Sequence, residues 1–377
     1  MRLTQSGARV RPWLEFHLMV KIADIGNFEA LPPFVAALLA GDVAALDRAL
    51  AEGCDIEAAI VLGPHTQEPP LLLALAANAA TSVHWLVERG ADLNRADAPA
   101  FALAARYGTP DLMRHLAAHG ADIHARRKVG GDAYQQALYG RKLKHLPVIE
   151  ALGHTAARHG GEAFRSAVFS RNRQAVDFFL AHGVDINFHA RDQVFSDSAT
   201  PLLVAARNRD LNLCRLLVEH GADVSLTNRD GDRPYTVAVE QDDAALAAYF
   251  KSLEPPELHS LANRLHELKP YKLAPDLLDF LQGAQRRIEL PDCDFGFVEF
   301  FALTDTVPMK AGRKKVLRLS RSSGDYSDTV LVWNPKTRRI GYWDIEHEEY
   351  GDIATFQDFM AAPALHMNRV ADGEYSE

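Results

Sequence analysis

A chain of 377 residues exceeds one ordinary domain of roughly 100–200 residues and has room for two or three. With 47% hydrophobic and 24% charged residues it has the make-up of an average globular chain, which excludes wholesale disorder, a collagen-like sequence and a disulfide scaffold. Forty-one Lys and Arg against fifty Asp and Glu leave a net charge of −9, which argues against reliance on phosphate neutralisation, so no nucleic-acid partner is expected.

The first 32 residues read as a lead-in with arginines and scattered apolar side chains. They hold no continuous apolar run of signal length and no small-residue cleavage site. No stretch anywhere reaches 18 apolar residues, so neither a membrane span nor a membrane partner is expected. Cys54, Cys214 and Cys293 are odd in number and far apart, which points to a reducing, cytoplasmic setting.

From residue 33 a short cluster recurs: Gly90-Ala91-Asp92-Leu93, Gly120-Ala121-Asp122-Ile123, Gly183-Val184-Asp185-Ile186 and Gly221-Ala222-Asp223-Val224, with weaker copies at Gly53 and Gly153. The marker glycines are 37, 30, 33, 30 and 38 positions apart. Upstream of each runs an apolar helical pattern, as in Leu213-Cys214-Arg215-Leu216-Leu217-Val218, and before it a first helix such as Thr200-Pro201-Leu202-Leu203-Val204-Ala205-Ala206. Proline in a first turn gives up only an amide that the turn leaves unpaired. Paired alanines let two helices approach closely. The glycine suits a left-handed helix end, and the short Asp can bond the turn amides after it.

This period and the Thr-Pro-Leu-x-x-Ala-Ala segment resemble ankyrin repeats, with about seven units over residues 33–253, the fourth degenerate and the last opening at Asp230-Gly231-Asp232-Arg233-Pro234. The resemblance implies an α solenoid whose units are stabilised by stacking on their neighbours and whose terminal units are polar outside, for which Gln241, Asp242 and Asp243 qualify. Leu216 reads as a core position, at which truncation to alanine costs about 2–5 kcal/mol.

Insertions in such arrays gather on one loop-bearing face, so the irregular steps are the candidate partner-binding sites. The 37-residue step carries Ile60, Val61 and His65; the 38-residue step carries Phe188, His189, Arg191, Asp192 and Phe195. Each is expected to project as an elongated finger. In the fourth unit Arg126, Arg127 and Lys128 form a basic patch in an acidic chain. Sixteen histidines invite a metal reading, yet His115 and His119, four apart, have no third ligand at motif spacing. His119, His182 and His220 each precede a marker glycine, where an imidazole meets free helix carbonyls. No metal site and no cofactor are expected.

After Glu254-Pro255-Pro256 the period stops, and residues 254–377 read as a separate, smaller α+β domain. Helical spacing covers Leu261, Leu265 and Leu268, and a second helix starts at Pro275. Strand patterns follow over 296–303, 316–319 and 328–333, the last forming a hairpin with 339–344 across Asn334-Pro335-Lys336-Thr337, and a closing helix runs from Ile353 to Met360. Leu273 to Leu281, Ile340-Gly341-Tyr342-Trp343-Asp344 and Ile353-Ala354-Thr355-Phe356-Gln357-Asp358-Phe359 resemble the SUKH superfamily, which includes bacterial toxin-immunity proteins. Residues 251–377 hold sixteen basic and twenty-one acidic side chains, and Asp344, Glu346, Glu348 and Glu349 form an acidic rim suited to a basic partner.

No phosphate loop, nucleophile elbow or matched carboxylate pair is present at a recognisable spacing, so no enzyme is expected. The whole reads as an α solenoid of ankyrin repeats followed by a smaller α+β domain. The two resemblances together imply a bacterial immunity protein that neutralises a cognate toxin by binding and occluding it. The alternative is an ankyrin-type scaffold or regulator with a housekeeping protein partner.

Overall fold

The computed structural model describes residues 19–321 and 329–375. Residues 1–18 of the lead-in and Asp328, expected to open a strand, lie outside them. Among the described residues no helix is long and apolar enough to cross a membrane. The chain divides into two compact units, Met1–Ala163 and Phe164–Glu377, a division that falls within the helical array.

The first unit opens with an antiparallel hairpin of β1 (Val20–Ile22) and β2 (Gly26–Phe28). Four helix pairs follow: α1 (Pro33–Ala40) with α2 (Val43–Ala51), α3 (Pro70–Ala76) with α4 (Ala80–Glu88), α5 (Ala100–Tyr107) with α6 (Pro110–Ala118), and α7 (Ala133–Tyr139) with α8 (Leu146–Ala151). Between the first two pairs the chain forms a hairpin of β3 (Ile60–Gly63) and β4 (Thr66–Glu68), and the short α9 (Ala156–His159) comes last. The buried residues of α1, α3 and α5 are mostly Ala, Leu and Val, with Ala100 to Ala105 almost completely buried, so these pairs sit close, whereas α7 buries Tyr134, Gln135 and Gln136. Gly53, Gly90, Gly120 and Gly153 have φ between +80° and +103°, the left-handed ending that the marker position demands. The Asp after the marker does its expected work: Asp92 accepts from the Asn94 amide and Asp122 from the His124 amide, both at 2.8 Å.

The division falls within α10 (Gly161–Phe169); the second unit holds the rest of that helix with α11 (Arg173–Ala181), then α12 (Pro201–Arg207) with α13 (Leu211–Glu219), and α14 (Pro234–Glu240) with α15 (Ala244–Leu253). Arg171 and Arg209 occupy left-handed turns between paired helices and reach along the array: Arg171 donates to the Asn208 carbonyl at 2.5 Å and Arg209 to the Gln241 carbonyl at 2.9 Å. His182 and His220 bond the carbonyls four residues back, at 2.7 and 2.8 Å, which identifies these histidines as helix ends. Leu216 is only half-buried; Leu213, Cys214 and Leu217 carry the inner face of α13 instead.

Beyond α15 come α16 (Leu261–Glu267), α17 (Pro275–Gln282) and an antiparallel pair of β5 (Arg287–Glu289) and β6 (Phe297–Glu299). Then follows a five-stranded antiparallel meander of β7 (Val307–Ala311), β8 (Lys314–Arg318), β9 (Thr329–Asn334), β10 (Arg339–Asp344) and β11 (Glu349–Ala354), closed by α18 (Phe356–Ala361) and α19 (Pro363–Ala371). The hairpin of β9 and β10 stands where the sequence placed it. Strands β7 and β11 were not foreseen, and Ile353, expected on the closing helix, lies on β11; the helix starts only after Thr355, whose hydroxyl accepts from the Asp358 amide at 3.2 Å. One sheet face packs Leu317, Leu331, Trp333, Ile340 and Tyr342 against residues of α17, α18 and α19. The other gathers Met309, Val316, Val330, Val332 and Trp343.

Arg318 is buried on that second face. It donates to Glu240 and lies 3.4 Å from Asp232, so the sheet is charge-paired to the opening of the last helix pair. Gly231, at φ +83°, stands where a Cβ would come within 2.4 Å of the Pro308 carbonyl, so the chain at β7 leaves room for glycine alone. Burial pushes the Asp232 carboxyl up to about 6, with Arg318 opposing the rise and Glu240 adding to it.

Two outcomes follow for stability. Leu217→Ala costs about 2–5 kcal/mol as a buried large-to-small change, and Leu216→Ala clearly less, read by denaturant unfolding; equal costs would overturn the assigned face of α13. Asp232 holds its proton more tightly folded than unfolded, where the reference lies near 3.9. Its contribution to stability is therefore full below about pH 4 and is lost as pH rises through about 6. Unfolding free energy then falls across that window by up to about 1.4 kcal/mol per pH unit from this group, and Asp232→Asn removes that slope. Identical pH profiles for the two proteins would refute the assignment.

Candidate partner-binding site

The second finger, between α11 and α12, is organised by Arg165, which is fully buried. Its guanidinium donates to the Ala190 and Ala199 carbonyls, both at 2.8 Å, and to Asp192 at 2.6 Å, and it lies 4.9 Å from the ring centre of Phe188 and 4.7 Å from that of Phe195. Burial works against ionisation of Asp192, but the Phe195 amide, Arg165 and the Val194 amide outweigh it and hold the carboxyl below its usual range. Phe195 is itself buried. Phe195 and Asp192 are therefore internal struts of the finger rather than contact residues, because a buried guanidinium needs both a counter-charge and an apolar wall. His189 and Arg191 remain exposed on it and Phe188 is half-buried.

Next to the finger lies the loop that opens the last helix pair. Asn228 shapes it by accepting from the Asp230 and Asp232 amides at 3.1 and 2.8 Å, and the Arg229 amide donates to the Asp197 carbonyl at 2.8 Å. Burial also works against the charge on Asp197, yet Arg207 and the Asn228 amide group, 2.9 Å away, keep its carboxyl below the ordinary value. Burial and then Asp197 push the neighbouring Asp230 upward.

Finger, loop and sheet enclose a groove of about 1110 Å³. Arg191, Asp197, Arg229 and Asp230 form the repeat side; Lys310, Lys315, Trp343, Glu346 and Glu348 form the sheet side. Trp343 is 5% exposed and its indole N–H has no hydrogen-bond acceptor among the described residues. An exposed ion pair, Arg229 to Glu348 at 3.1 Å, spans the mouth. Four acidic residues (Asp197, Asp230, Glu346, Glu348) face four basic ones (Arg191, Arg229, Lys310, Lys315), so the groove has no dominant sign. That departs from the expectation of an acidic rim, because Lys310 of β7 and Lys315 of β8 line the groove beside it.

The sequence candidates thus separate. Arg191, Glu346 and Glu348 come together in the groove, although Arg191 and Glu346 are 155 positions apart. Asp344 is engaged within its own turn, accepting from the His347 amide and meeting the His347 ring, both at 3.0 Å, and Glu349 starts β11. Ile60, Val61 and His65 lie on the β3–β4 hairpin of the first unit, with Val61 65% exposed. In the same unit Arg126 is paired with Glu162 at 2.6 Å and lies 3.5 Å from Asp132, while Arg127 is half-buried and Lys128 exposed. The sequence reading missed Asp197, Arg229, Asp230, Lys310, Lys315 and the role of Trp343. Only the position of Arg229 and Asp230 in a repeat-opening turn was available as a signal. Among the described residues one group, His124, His154 and His159, has the spacing to hold a metal ion.

Residues 154–252 match the family model for ankyrin repeats (3 copies). No curated protein matches the chain. The stretch from 154 to 252 is therefore built of ankyrin repeats, a module that binds other proteins.

Proposed function

We propose that this protein is a non-catalytic cytoplasmic binding protein, and that it receives a segment of a partner protein in the groove between the last ankyrin repeats and the five-stranded sheet. The observation that carries the reading is the groove itself: preformed, large enough for a peptide segment, and lined by charges of both signs around a buried tryptophan donor. Preformed clefts with a few placed polar groups are the usual ligand sites. Two of its four carboxylates are paired with cations, Asp197 with Arg207 and Glu348 with Arg229, and no histidine or cysteine is among the residues lining it. The partner segment complementary to it carries both acidic and basic side chains.

The finer reading is a bacterial immunity protein that occludes a cognate toxin. Its support is the resemblance of residues 273–281 and 340–359 to the SUKH superfamily, together with an α+β architecture in which a five-stranded sheet is covered by α17, α18 and α19. The test is co-expression with the toxin domain encoded beside the gene, followed by co-purification. Protection and a stable complex are expected, and the double variant Glu346→Lys/Glu348→Lys weakens the complex roughly tenfold through faster dissociation, since substitutions at an interface act mostly on the off-rate. Absence of both protection and complex would remove the toxin reading. A host protein captured instead through the same two glutamates would assign the groove to a scaffold or regulator.

A further inference from the structure

In a solenoid, positions one repeat apart in sequence become neighbours in space. His124 follows the marker Gly120 by four residues; His154 directly follows the next marker, Gly153. Their Nδ1 atoms are 2.9 Å apart. The single turn of α9 then returns the chain so that the ring of His159 stacks on that of His154, with ring centres 4.3 Å apart and planes 14° apart. One ring nitrogen from each of the three falls within 4.8 Å of the others.

We infer that His124, His154 and His159 bind a divalent transition-metal ion of the zinc type and so clip the loop of the degenerate fourth repeat to the turn that follows it. Imidazole nitrogens bind zinc at about 2.0–2.1 Å, which sets tetrahedral nitrogen-to-nitrogen separations near 3.4 Å. The observed 2.9 Å and the 4.8 Å limit bracket that value; because an imidazole binds an ion in its own ring plane, His159 turns out of its stack on His154 to close the set.

The support behind the central ligand is already in place. His154 is almost fully buried; with Nδ1 turned to the cluster, its Nε2 faces Asp132 Oδ2 at 3.3 Å. That nitrogen has no aligned hydrogen-bond partner despite the short distance. A metal-bound imidazole commonly donates its other N–H to a carboxylate, which fixes the ring and raises its basicity. Asp132 is itself held: its Oδ1 accepts from the Gln135 amide at 3.1 Å as the cap of α7, and Oδ2 lies 3.5 Å from Arg126. Three protein ligands leave a fourth position for water, and His124 is exposed, so the ion has an entry path. Arg126, Arg127 and Lys128 sit in the loop that such a clip would order.

The experiment uses the full-length chain, freed of metal by chelator dialysis and titrated with Zn²⁺ by calorimetry alongside thermal melting. One equivalent binds, the melting temperature rises, and affinity falls as pH drops through the histidine range. His154→Ala risks misfolding because of its burial, so the deciding variants are His124→Ala and His159→Ala. Each weakens binding roughly tenfold or more while the metal-free melting temperature is kept, and His115→Ala leaves binding unchanged. Absence of saturable binding would reduce the cluster to hydrogen-bonded imidazoles and overturn the inference. Wild-type affinity in the His124→Ala/His159→Ala double variant would overturn it as well, by placing the ion on other histidines.

Discussion

A guanidinium cut off from water has to find its counter-charges inside the protein, and Arg318 finds them in Asp232 and Glu240 at the start and end of the run that opens the last helix pair. Two carboxylates around one cation form a costly arrangement, because every member has been desolvated. What it secures is placement. With Arg318 fixed on β8, the second face of the sheet has one way to meet the terminal repeat, and Gly231 lets the chain pass against the Pro308 carbonyl in that register. A terminal ankyrin unit ordinarily needs a polar outer surface. Here the sheet takes the place of solvent, and Tyr235 completes the joint by donating to Asp305 at 3.1 Å. The groove is the outer rim of this joint.

The repeats were legible because each marker states a local backbone requirement. Glycine at positive φ followed by an Asp that bonds an amide two residues on is specified within a few positions, whatever lies beyond. The sheet was legible only in part. Residues of β9 are buried on both faces, so that strand shows as a continuous apolar run and was found. In contrast, β7 alternates over only five residues and carries Pro308, which reads as a strand breaker, while β11 starts in an acidic turn, contains Gly351 and departs from alternation; both depend on neighbours for their hydrogen bonds. Leu216 shows the same limit on a helix. Period alone put it on the inner stripe, yet Leu217 is the residue that the stacking buries.

Site residues were harder, for a physical reason. A turn insertion announces itself in the spacing, but which side chains face outward depends on what the finger must bury to stand up. Phe188, Asp192 and Phe195 looked like contacts because aromatic and charged residues are common at interfaces; Arg165, on a helix more than twenty positions earlier, claims them. The groove draws on positions from Arg191 to Glu348, and no local pattern could have joined them. The histidine triplet lay closer to view, since His124 and His154 are thirty residues apart and the array repeats at nearly that interval, but the stacking had to be taken literally to see it.

The balance of charge in the groove changes what kind of recognition the protein can perform. Four cations against four carboxylates give no long-range pull on a partner of either sign, so selectivity has to come from the order of charges along the bound segment. The walls are fixed beforehand, by Arg165 beneath the finger, Asn228 within the loop and Arg318 under the sheet, which keeps the ordering cost of binding small. Among the described residues the Arg229–Glu348 pair stands across the mouth. More than half exposed on both sides, it is worth at most about 1 kcal/mol. A partner carrying one acidic and one basic side chain at matching spacing can therefore replace it at little cost, each charge finding a counterpart already held in place.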